Sequence, residues 1–483
     1  MVYCLYTYNS EVIMALENTH FGAEAIASML NGVEKLYFCG IGGVSMCSLA
    51  RISHLRGYSV SGYDRSATAI TGALEDMGIP VHYENDPSHI HGCGMLVYTV
   101  AIPADTPELV EAKKRGIPCV SRSDYLGYIM WGYEKRIGIS GMHGKTTTTS
   151  MTAKIFGDAG CDPTVSCGGV MKDVGSEYRI GQGEHFIFEA CEYMDSFLDF
   201  YPSIAVVLNI EMDHVDYFHS MEQIRTSYAN FMAKTGETGV AIVNADDADV
   251  MQSAENYAGT LVTFGINADD VDYKAINVSY AGGCANYDLV HGGQVLCHIT
   301  LAVPGAHLVY DSLAAAAAAH ICGVSPEAIS SALATFEGAG RRMDPMGISK
   351  SGAKIYSDYA HHPTEIKTTL EAATQMGFGR VFCVFQPHTY SRTAELFEGF
   401  AVALSCEGID EMILAPIYSA RETNTYGIYS EDLAAAVCGK GSKCRVIGDF
   451  ADIADYMNSV SADGDMLLVM GAGDITKVIG YLK

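Results

Sequence analysis

Short runs of β-branched and aromatic residues alternate along the chain with longer stretches of helical character. Runs of this kind are typical of buried strands, and their alternation with helices predicts parallel sheets covered by helices on both faces. We therefore expect an α/β fold. The runs lie at Lys35–Cys39, Met95–Thr99, Arg136–Ile139, Phe186–Phe188, Ile204–Asn209, Val240–Asn244, Val381–Phe385, Glu411–Ala415 and Met466–Met470.

The chain length sets the number of domains. At 483 residues the chain exceeds one ordinary core and predicts two to four domains, with three as the working number. New strand–loop–helix units begin near Tyr133–Arg136 and near Arg341–Met346. These positions divide the chain into an N-terminal extension, residues 1–34, and three domains, residues 35–134, 135–343 and 344–483.

Charge and cysteine content limit the partners. The 57 acidic and 30 basic residues give a net charge of −27, which repels nucleic acid and anionic lipid. The 15 cysteines form no CxxC pair, which favours free thiols in a reducing compartment. No apolar run reaches the roughly 18 residues of a membrane helix, and residues 1–16 lack the basic start of a secretory signal. We expect a cytoplasmic protein with no nucleic-acid or membrane partner.

A glycine-rich turn follows the first predicted strand. It contains Gly40, Gly42 and Gly43, and Ser45 stands where a dinucleotide fingerprint has its third glycine. Asp64 ends the next strand about twenty residues later, as in that fingerprint. Amides of such a turn approach a pyrophosphate closely. The pattern predicts nucleotide binding, by NAD or another nucleotide, with a plain strand–helix turn as the alternative. An NAD-dependent oxidoreductase would explain this loop alone.

A second glycine loop lies between a predicted strand and a predicted helix and indicates a phosphate cradle. Its amides would wrap a triphosphate, Lys145 would reach the β- and γ-oxygens, and the hydroxyl of Thr146 would bind Mg²⁺. The spacing is one residue shorter than the common P-loop, because Ile139 stands where that pattern has glycine. A P-loop switch or binding module would also explain this loop. The loop residues are Gly141, Met142, His143, Gly144, Lys145, Thr146 and Thr147.

Two candidate metal-binding positions follow the next predicted strands. Glu192 comes shortly after Phe186–Phe188, and a cluster at Asn209–His214 follows Ile204–Asn209. Ligands of an open α/β sheet gather at the carboxyl ends of its strands, so we expect Glu192 and His214 to lie near the P-loop. A metal held mainly by phosphates needs one or two such protein ligands. Taken singly, each is also explained as an ordinary surface residue.

Three polar clusters stand out in the last third of the chain, at residues 357–365, 386–393 and 470–475. The first begins where a predicted strand ends and has a proline that suits the start of a helix. In the second, the planar guanidinium of Arg392 is suited to clamp a carboxylate. Each cluster is also explained as a capped turn.

In this order the motifs resemble those of the Mur ligase family. The resemblance runs from residue 35 to residue 476 and is more specific than any single loop. The matching strings lie at residues 40–43, 141–147, 209–214, 304–307, 340–342, 358–365, 386–388, 392–393 and 471–474.

The resemblance implies an N-terminal Rossmann-like domain for a UDP-sugar, a central P-loop ATPase domain and a C-terminal Rossmann-like domain for an amino acid. It assigns the first glycine loop to UDP rather than NAD. The strings at 40–43 and 358–365 imply the branch that joins L-alanine to UDP-N-acetylmuramate with ATP and Mg²⁺. We expect a monomer or a homodimer. A recycling ligase of the same family, which adds a whole tripeptide, is the alternative.

The resemblance also implies site residues. The catalytic residues would be Lys145, Arg342 and His361, with His361 as the base. ATP would contact residues 141–147 and Asp358, the metal would contact Thr146, Glu192 and His214, and L-alanine would contact Arg392 and His388. The UDP-sugar would contact Gly40, Gly42, Gly43, Ser45, Asp64, Thr99 and His143.

Some positions depart from the family pattern. Met142 replaces a smaller residue, which matters little if the position contributes its backbone. Leu308 and Asp311 stand where the family commonly has asparagines associated with adenine recognition, so the resemblance implies no adenine contacts at these two positions. Some relatives have arginine at the position of Thr389, which leaves Arg392 as the preferred carboxylate partner.

Overall fold

The computed structural model describes residues 16–214, 217–420 and 422–483. It also describes the backbone of a short antiparallel pair, β1 (Thr7–Tyr8) and β2 (Glu11–Val12). The side chains of residues 1–15, where the sequence predicts no secretory signal, lie outside the described residues. The rest of the N-terminal extension is attached to the first domain, because Asp124 accepts hydrogen bonds from the amides of Phe21 (2.8 Å) and Gly22 (3.1 Å).

The first domain has the strand order of a Rossmann fold. Across residues 35–121, all of which are described, five parallel strands stand in the order β5-β4-β3-β6-β7. The order reverses between β3 and β6, so the loops after these strands meet at one edge of the sheet. The elements are α1 (Ala23–Met29), β3 (Lys35–Cys39), α2 (Val44–Leu55), β4 (Ser59–Tyr63), α3 (Ala69–Asp76), β5 (Val81–His82), β6 (Met95–Tyr98), α4 (Pro107–Lys114), β7 (Cys119–Ser121) and α5 (Arg122–Trp131), with a 3₁₀ turn at Pro87–Ile90.

The second domain contains a ten-stranded sheet. In the described part of this domain, which leaves out Val215 and Asp216, the strand order is β10-β9-β11-β8-β12-β13-β14-β15-β16-β17. Its elements are β8 (Lys135–Ser140), α6 (Lys145–Asp158), β9 (Thr164–Met171), β10 (Ser176–Arg179), β11 (His185–Glu189), β12 (Ile204–Val207), α7 (Met221–Ala233), β13 (Val240–Asn244), α8 (Ala248–Ala254), β14 (Thr260–Gly265), β15 (Tyr273–Ala281), β16 (Cys284–His291), β17 (Gln294–Pro304), α9 (Leu308–Ile321) and α10 (Pro326–Ala334), with a 3₁₀ segment at Tyr193–Asp199.

The strands β9, β11, β8, β12, β13, β14 and β15 are parallel to their neighbours, whereas β10, β16 and β17 are antiparallel. The sequence predicts four of the parallel strands, β8, β11, β12 and β13, and misses β9, β14 and β15. The antiparallel meander was missed because its strands have one face in solvent, so their apolar residues alternate with polar ones.

The third domain contains a six-stranded sheet. In its described residues, which leave out Arg421, the strand order is β18-β19-β23-β20-β21-β22, and β18 is antiparallel whereas the other strands are parallel. Its elements are β18 (Asp344–Ile348), β19 (Lys354–Asp358), α11 (Pro363–Gln375), β20 (Val381–Phe385), α12 (Tyr390–Glu395), α13 (Phe397–Ala403), β21 (Glu411–Leu414), α14 (Ser430–Gly439), β22 (Cys444–Val446), α15 (Phe450–Val460), β23 (Met466–Met470) and α16 (Val478–Leu482), with a 3₁₀ turn at Ile475–Lys477.

Helices cover both faces of the parallel strands. Phe186 and Phe188 of β11 pack into one apolar cluster, and Ile187 between them packs into the cluster on the opposite face. The first cluster continues into the N-terminal domain, where it includes Phe38 and Tyr125. These features confirm the predicted three-domain α/β fold. Among the described helices, none is long and apolar enough to span a bilayer.

Candidate active site

The second glycine loop connects β8 to α6, and its shape depends on glycine. Gly141 and Gly144 have φ angles of +143° and +83°. A Cβ atom at Gly144 would stand 2.4 Å from Oδ1 of Asp311, so a larger residue does not fit without a shift. Helix α6 begins at Lys145, and the amides of a first helical turn lack partners inside the helix. The loop therefore has the backbone geometry of an anion cradle.

Asn209 fixes this loop to the neighbouring strand. The amide of Met142 donates to the carbonyl of Asn209 (3.2 Å), and the amide of His143 donates to its Oδ1 (2.8 Å). The Asn209 side chain donates in return to the carbonyl of His143 (3.0 Å). The sequence predicts that every amide of the loop contacts a triphosphate, but the amides of Met142 and His143 donate to Asn209 instead. The amides at the start of α6 remain available to an anion.

Lys145 and Glu192 form a buried ion pair beside the loop. The ammonium nitrogen lies 2.9 and 3.1 Å from the two carboxylate oxygens and also donates to the carbonyl of Gly141 (2.5 Å). Nε2 of His214 lies 3.2 Å from Oε1 of Glu192. Burial opposes both charges, but their attraction outweighs it, so the pKa of Lys145 is raised and the pKa of Glu192 is lowered. Both groups are therefore ionised at neutral pH.

The hydroxyl of Thr146 points to a different carboxylate. It donates to Oε2 of Glu189 (2.9 Å), the last residue of β11, which also accepts the amide of Gly168 (2.8 Å). The structure thus brings Glu192 and His214 together as predicted, while Glu189 partners Thr146. Hydroxyl and ionised carboxylate oxygens are the ligands that Mg²⁺ prefers. The donor set around the loop fits that ion.

A cavity of about 330 Å³ lies between the loop and the C-terminal domain. Burial raises the pKa of Asp311 to about 7 and lowers the pKa of His307 to about 4. Burial therefore favours the neutral form of the Asp311 carboxyl group. The lining includes His143, Gly144, His307, Asp311, Arg342 and Glu365, so residues of two domains share one space.

Glu365, on the first turn of α11, joins several groups predicted for the site. Its carboxylate accepts from Nη1 of Arg342 (3.3 Å) and from the amide of His361 (3.1 Å), and it lies 3.5 Å from Nδ1 of His143. Burial would raise the pKa of Glu365, but the charge of Arg342, together with the two histidines, holds it well below its usual range. The motif containing Glu365 was noted in the sequence, but no role was assigned to this residue.

Asp358, at the end of β19, binds backbone amides of the protein itself. Its carboxylate accepts from the amides of Met343 (2.7 Å) and Ala360 (2.8 Å), which fixes the turn that carries His361. Its side chain also borders the cavity, where the resemblance implies ATP. Burial raises the pKa of this carboxyl group.

Arg392 and His388 lie together near His361. Nη1 of Arg392 lies 3.4 Å from Nδ1 of His388, and the rings of His388 and His361 are 6.0 Å apart. Nε of Arg392 donates to Oδ1 of Asp213 (3.0 Å) in the central domain. Burial opposes the charge on Asp213, yet the guanidinium lowers its pKa. Arg392, predicted to clamp a substrate carboxylate, is therefore paired with a protein carboxylate in this structure.

Asp64 and Thr99 contact the glycines of the first glycine loop. Oδ2 of Asp64 accepts the amide of Gly42 (2.8 Å), and a Cβ at Gly40 would stand 2.7 Å from Cγ2 of Thr99. Gly43 precedes α2, and Ser45 on its first turn accepts a hydrogen bond from Nη1 of Arg122 (3.1 Å). The sequence reasoning missed Arg122, which lies 77 positions from Ser45.

Models of three consecutive domains match the chain: Mur ligase family, catalytic domain (residues 35–134), Mur ligase middle domain (139–319) and Mur ligase, glutamate ligase domain (341–473). The chain belongs to the Mur ligase family.

Among curated proteins, this Mur ligase is 42% identical to UDP-N-acetylmuramate–L-alanine ligases of Clostridium acetobutylicum and Lachnospira eligens. Each match covers 92% of this chain and 96% of the relative. Among solved structures, it is similar to UDP-N-acetylmuramate-alanine ligase from Thermotoga maritima (TM-score 0.76, 24% identity) and to a murein peptide ligase from Psychrobacter arcticus (TM-score 0.69, 22% identity). Both structural matches cover 93% of this chain and 98% of the other, and they support the fold.

In this Mur ligase the predicted residues form three groups. Residues 141–147 meet Glu192 and His214 at the P-loop, Arg342 and His361 meet Glu365 at the domain boundary, and Arg392 meets His388. The sequence assigned no role to Glu189, Arg122 or, within the cluster Asn209–His214, to Asn209 and Asp213. Strand-terminal position was the available signal for Glu189 and Asn209, because polar residues at the carboxyl ends of parallel strands face the ligand edge.

Proposed function

We propose that this chain joins the carboxylate of UDP-N-acetylmuramate to the amino group of L-alanine, with ATP, in peptidoglycan biosynthesis. The observation that carries the proposal is 42% identity over 92% of the chain to ligases of that name. The buried Lys145–Glu192 pair beside a glycine loop and a cavity shared by two domains support the same chemistry.

A carboxylate is a poor electrophile, and phosphorylation by ATP converts it to an acyl phosphate. The lactyl carboxylate oxygen attacks the γ-phosphorus and ADP leaves. Positioning and charge neutralisation dominate such a transfer. Lys145, released from the carbonyl of Gly141, donates to the γ-phosphoryl oxygens, and Arg342 adds positive charge across the cavity. Mg²⁺ held by Thr146, Glu192 and His214 would neutralise further phosphate charge.

The alanine amine then attacks the acyl carbon, phosphate leaves, and the amine loses a proton. In this proposal Arg392 and His388, whose Nη1 and Nδ1 lie 3.4 Å apart, bind the alanine carboxylate. Nδ1 of His361 donates to the carbonyl of Tyr359 (3.0 Å), which leaves the lone pair on Nε2. Burial lowers the pKa of His361 to about 4, so at neutral pH the imidazole is in the form that accepts a proton. The acyl phosphate needs protection from water, which closure of the domains before the chemical step would supply.

The UDP-sugar lies, in this proposal, at the switch point of the first domain, against Gly40, Gly42, Gly43, Ser45, Asp64 and Thr99, with His143 near the sugar carboxylate. The guanidinium of Arg122 favours an anionic ligand there, because it contacts Ser45 at the start of α2. Both the helix N-terminus and the guanidinium favour a diphosphate.

The substrates are small, soluble metabolites, so we place the protein in the cytoplasm. The 15 cysteines form no CxxC pair, which favours free thiols in a reducing compartment. Monomer and homodimer both remain predictions.

Phosphate release from Mg-ATP and UDP-N-acetylmuramate tests the function. One reaction receives L-alanine and another receives the tripeptide L-Ala-D-Glu-diamino acid. Release that requires L-alanine, with a product heavier by one alanyl unit, supports the proposal. Release with the tripeptide alone would assign the chain to the recycling alternative, and no release in either reaction would refute both.

A further inference from the structure

Two histidines and a glutamate meet where the central domain contacts the C-terminal domain. His143 and Glu211 belong to the central domain, and His362 precedes α11 of the C-terminal domain. Nε2 of His143 contacts Oε1 of Glu211, and Nδ1 of His362 lies 3.6 Å from the same oxygen. One nitrogen or oxygen from each side chain lies within 4.8 Å of the others. Ligand atoms of a tetrahedral zinc stand about 3.3 Å apart, so a small movement suffices to close the set around one ion.

The contacts of His362 orient a lone pair into this cluster. Its Nε2 lies 3.3 Å from the carbonyl oxygen of Met212, an acceptor, so Nε2 carries the proton. Nδ1 then has the lone pair, and the amide of Thr364 approaches it at 3.4 Å, a long contact that a metal ion readily replaces. A backbone carbonyl that holds the far nitrogen is the usual arrangement of a metal-binding histidine.

His143 and Glu211 are held in the same manner. Nδ1 of His143 lies 3.5 Å from Oε1 of Glu365, which places a carboxylate behind the imidazole and directs Nε2 toward Glu211. The hydroxyl of Thr364 donates to Oε2 of Glu211 (2.9 Å), which leaves Oε1 facing the two histidines. All three side chains thus have an outer partner of the kind that fixes metal ligands. The side chains of His143 and His362 are 14% and 5% exposed, whereas that of Glu211 is 34% exposed, so the two imidazoles are sheltered and the carboxylate remains accessible to water.

We propose that His143, Glu211 and His362 bind Zn²⁺ and thereby join the central domain to the C-terminal domain. Two imidazoles and one carboxylate form a ligand set suited to zinc, with a fourth position for water. The cluster shares no residue with the proposed magnesium ligands Thr146, Glu192 and His214, although its His143 is also proposed to contact ATP and the UDP-sugar. The proposal concerns metal binding and domain contact, and it goes beyond the proposed ligation.

Metal titration of the purified full-length chain tests the site, with Co²⁺ as a spectroscopic substitute for Zn²⁺ and with excess Mg²⁺ present. The free cysteines are competing ligands, and Co²⁺ distinguishes them because thiolates add an intense near-ultraviolet charge-transfer band. We expect a tight equivalent of Co²⁺ without that band, displaced by Zn²⁺, and a rise in Tm when metal is added.

His362→Gln and Glu211→Gln should each lower the affinity by more than the roughly 10–100-fold that loss of an outer partner costs. The exposed Thr364→Val should lower it about 10-fold, by removing an outer partner only. His298→Gln is the matched control, because His298 also pairs with a carboxylate (Asp288, 2.8 Å) but lies on the outer meander. It should bind metal as the wild type does.

Metal binding that survives both His362→Gln and Glu211→Gln, or that shows the thiolate band, would overturn the proposal. A melting curve of each variant without metal separates loss of the site from loss of the fold. No substrate is needed, so failure of this test leaves the ligase function untouched, and failure of the ligase assay leaves the metal site untouched.

Discussion

Arg392 of the C-terminal domain donates from Nε to Oδ1 of Asp213 in the central domain over 3.0 Å, and both side chains are at most 10% exposed. The pair does two things at once. It holds the two domains together, and it fixes the plane of a guanidinium whose Nη1 lies beside His388. The proposed alanine site therefore depends on a residue from another domain.

Asp213→Asn should raise the KM for L-alanine about 10-fold, because Arg392 loses the partner that orients it and remains as a buried, unpaired charge. The KM for ATP should change much less. The check is steady-state kinetics with each substrate varied in turn. Asp249→Asn, at the more exposed Arg225–Asp249 pair, is the control and should leave both values unchanged. A lower KM for L-alanine would show that Asp213 competes with the substrate carboxylate instead.

Lys145→Ala should abolish phosphate release while leaving UDP-N-acetylmuramate binding nearly intact, because the lysine contacts the P-loop and Glu192. The variant also leaves the Glu192 carboxylate unpaired, so its free energy of unfolding should fall by about 3–5 kcal/mol. Calorimetric binding and phosphate release measure the two effects. Lys154→Ala, on the same helix, should keep its turnover. Simultaneous loss of sugar binding and turnover would show that the loop is structural.

Gly144→Ala should prevent ATP binding and destabilise the protein, because residue 144 has a φ of +83° and a Cβ there meets Asp311 at 2.4 Å. The backbone conformation alone costs about 1–2 kcal/mol. Gly157→Ala is the matched control at the other end of α6, where a Cβ has nothing within 4 Å. It should stabilise the protein by about 0.4–1 kcal/mol. Urea unfolding and nucleotide binding distinguish the two, and equal effects would refute the role assigned to Gly144.

Asp311→Asn should stabilise the protein above pH 7 and have little effect near pH 4. In the folded chain burial raises the pKa of Asp311 to about 7, above its ordinary 3.8. Between these values the folded state binds more protons than the unfolded state, so stability falls as pH rises through this window. Asparagine removes that loss, on the order of 2–4 kcal/mol at pH 8. Urea unfolding of both proteins at pH 4.5 and pH 8 provides the measurement, and a pH-independent difference would contradict it.

Arg122→Gln should raise the KM for UDP-N-acetylmuramate about 10-fold without a comparable effect on ATP, because it removes the guanidinium that contacts Ser45 at the first glycine loop. A charge-assisted hydrogen bond of about 1.5 kcal/mol corresponds to a change of that size. Arg115→Gln is the control, since Arg115 pairs with Glu111 on the surface of α4. An unchanged KM for the UDP-sugar would remove Arg122 from the proposed site.

The sequence by itself determined the class of fold and the place of each loop. Runs such as Val381–Phe385 and Met466–Met470 are apolar throughout because their strands are buried on both faces, and that pattern is local. The glycine loops could also be predicted from the sequence, because only glycine adopts the backbone conformation of Gly144 without strain. The antiparallel strands β16 and β17 were not predicted, since alternating apolar and polar residues indicate a strand less clearly than a continuous apolar run does.

Only the tertiary structure decided which side chains meet. Asp213 and Arg392 are 179 positions apart, so no spacing rule connects them. The strand-end position of Glu192 predicted that it lies near the P-loop, but not that it pairs with Lys145. The order of strands in a sheet and the docking of one domain on another depend on packing over the whole chain. For that reason the sequence named Arg392, whereas its partner Asp213, the role of Glu365 and the cluster of His143, Glu211 and His362 became visible only in the folded protein.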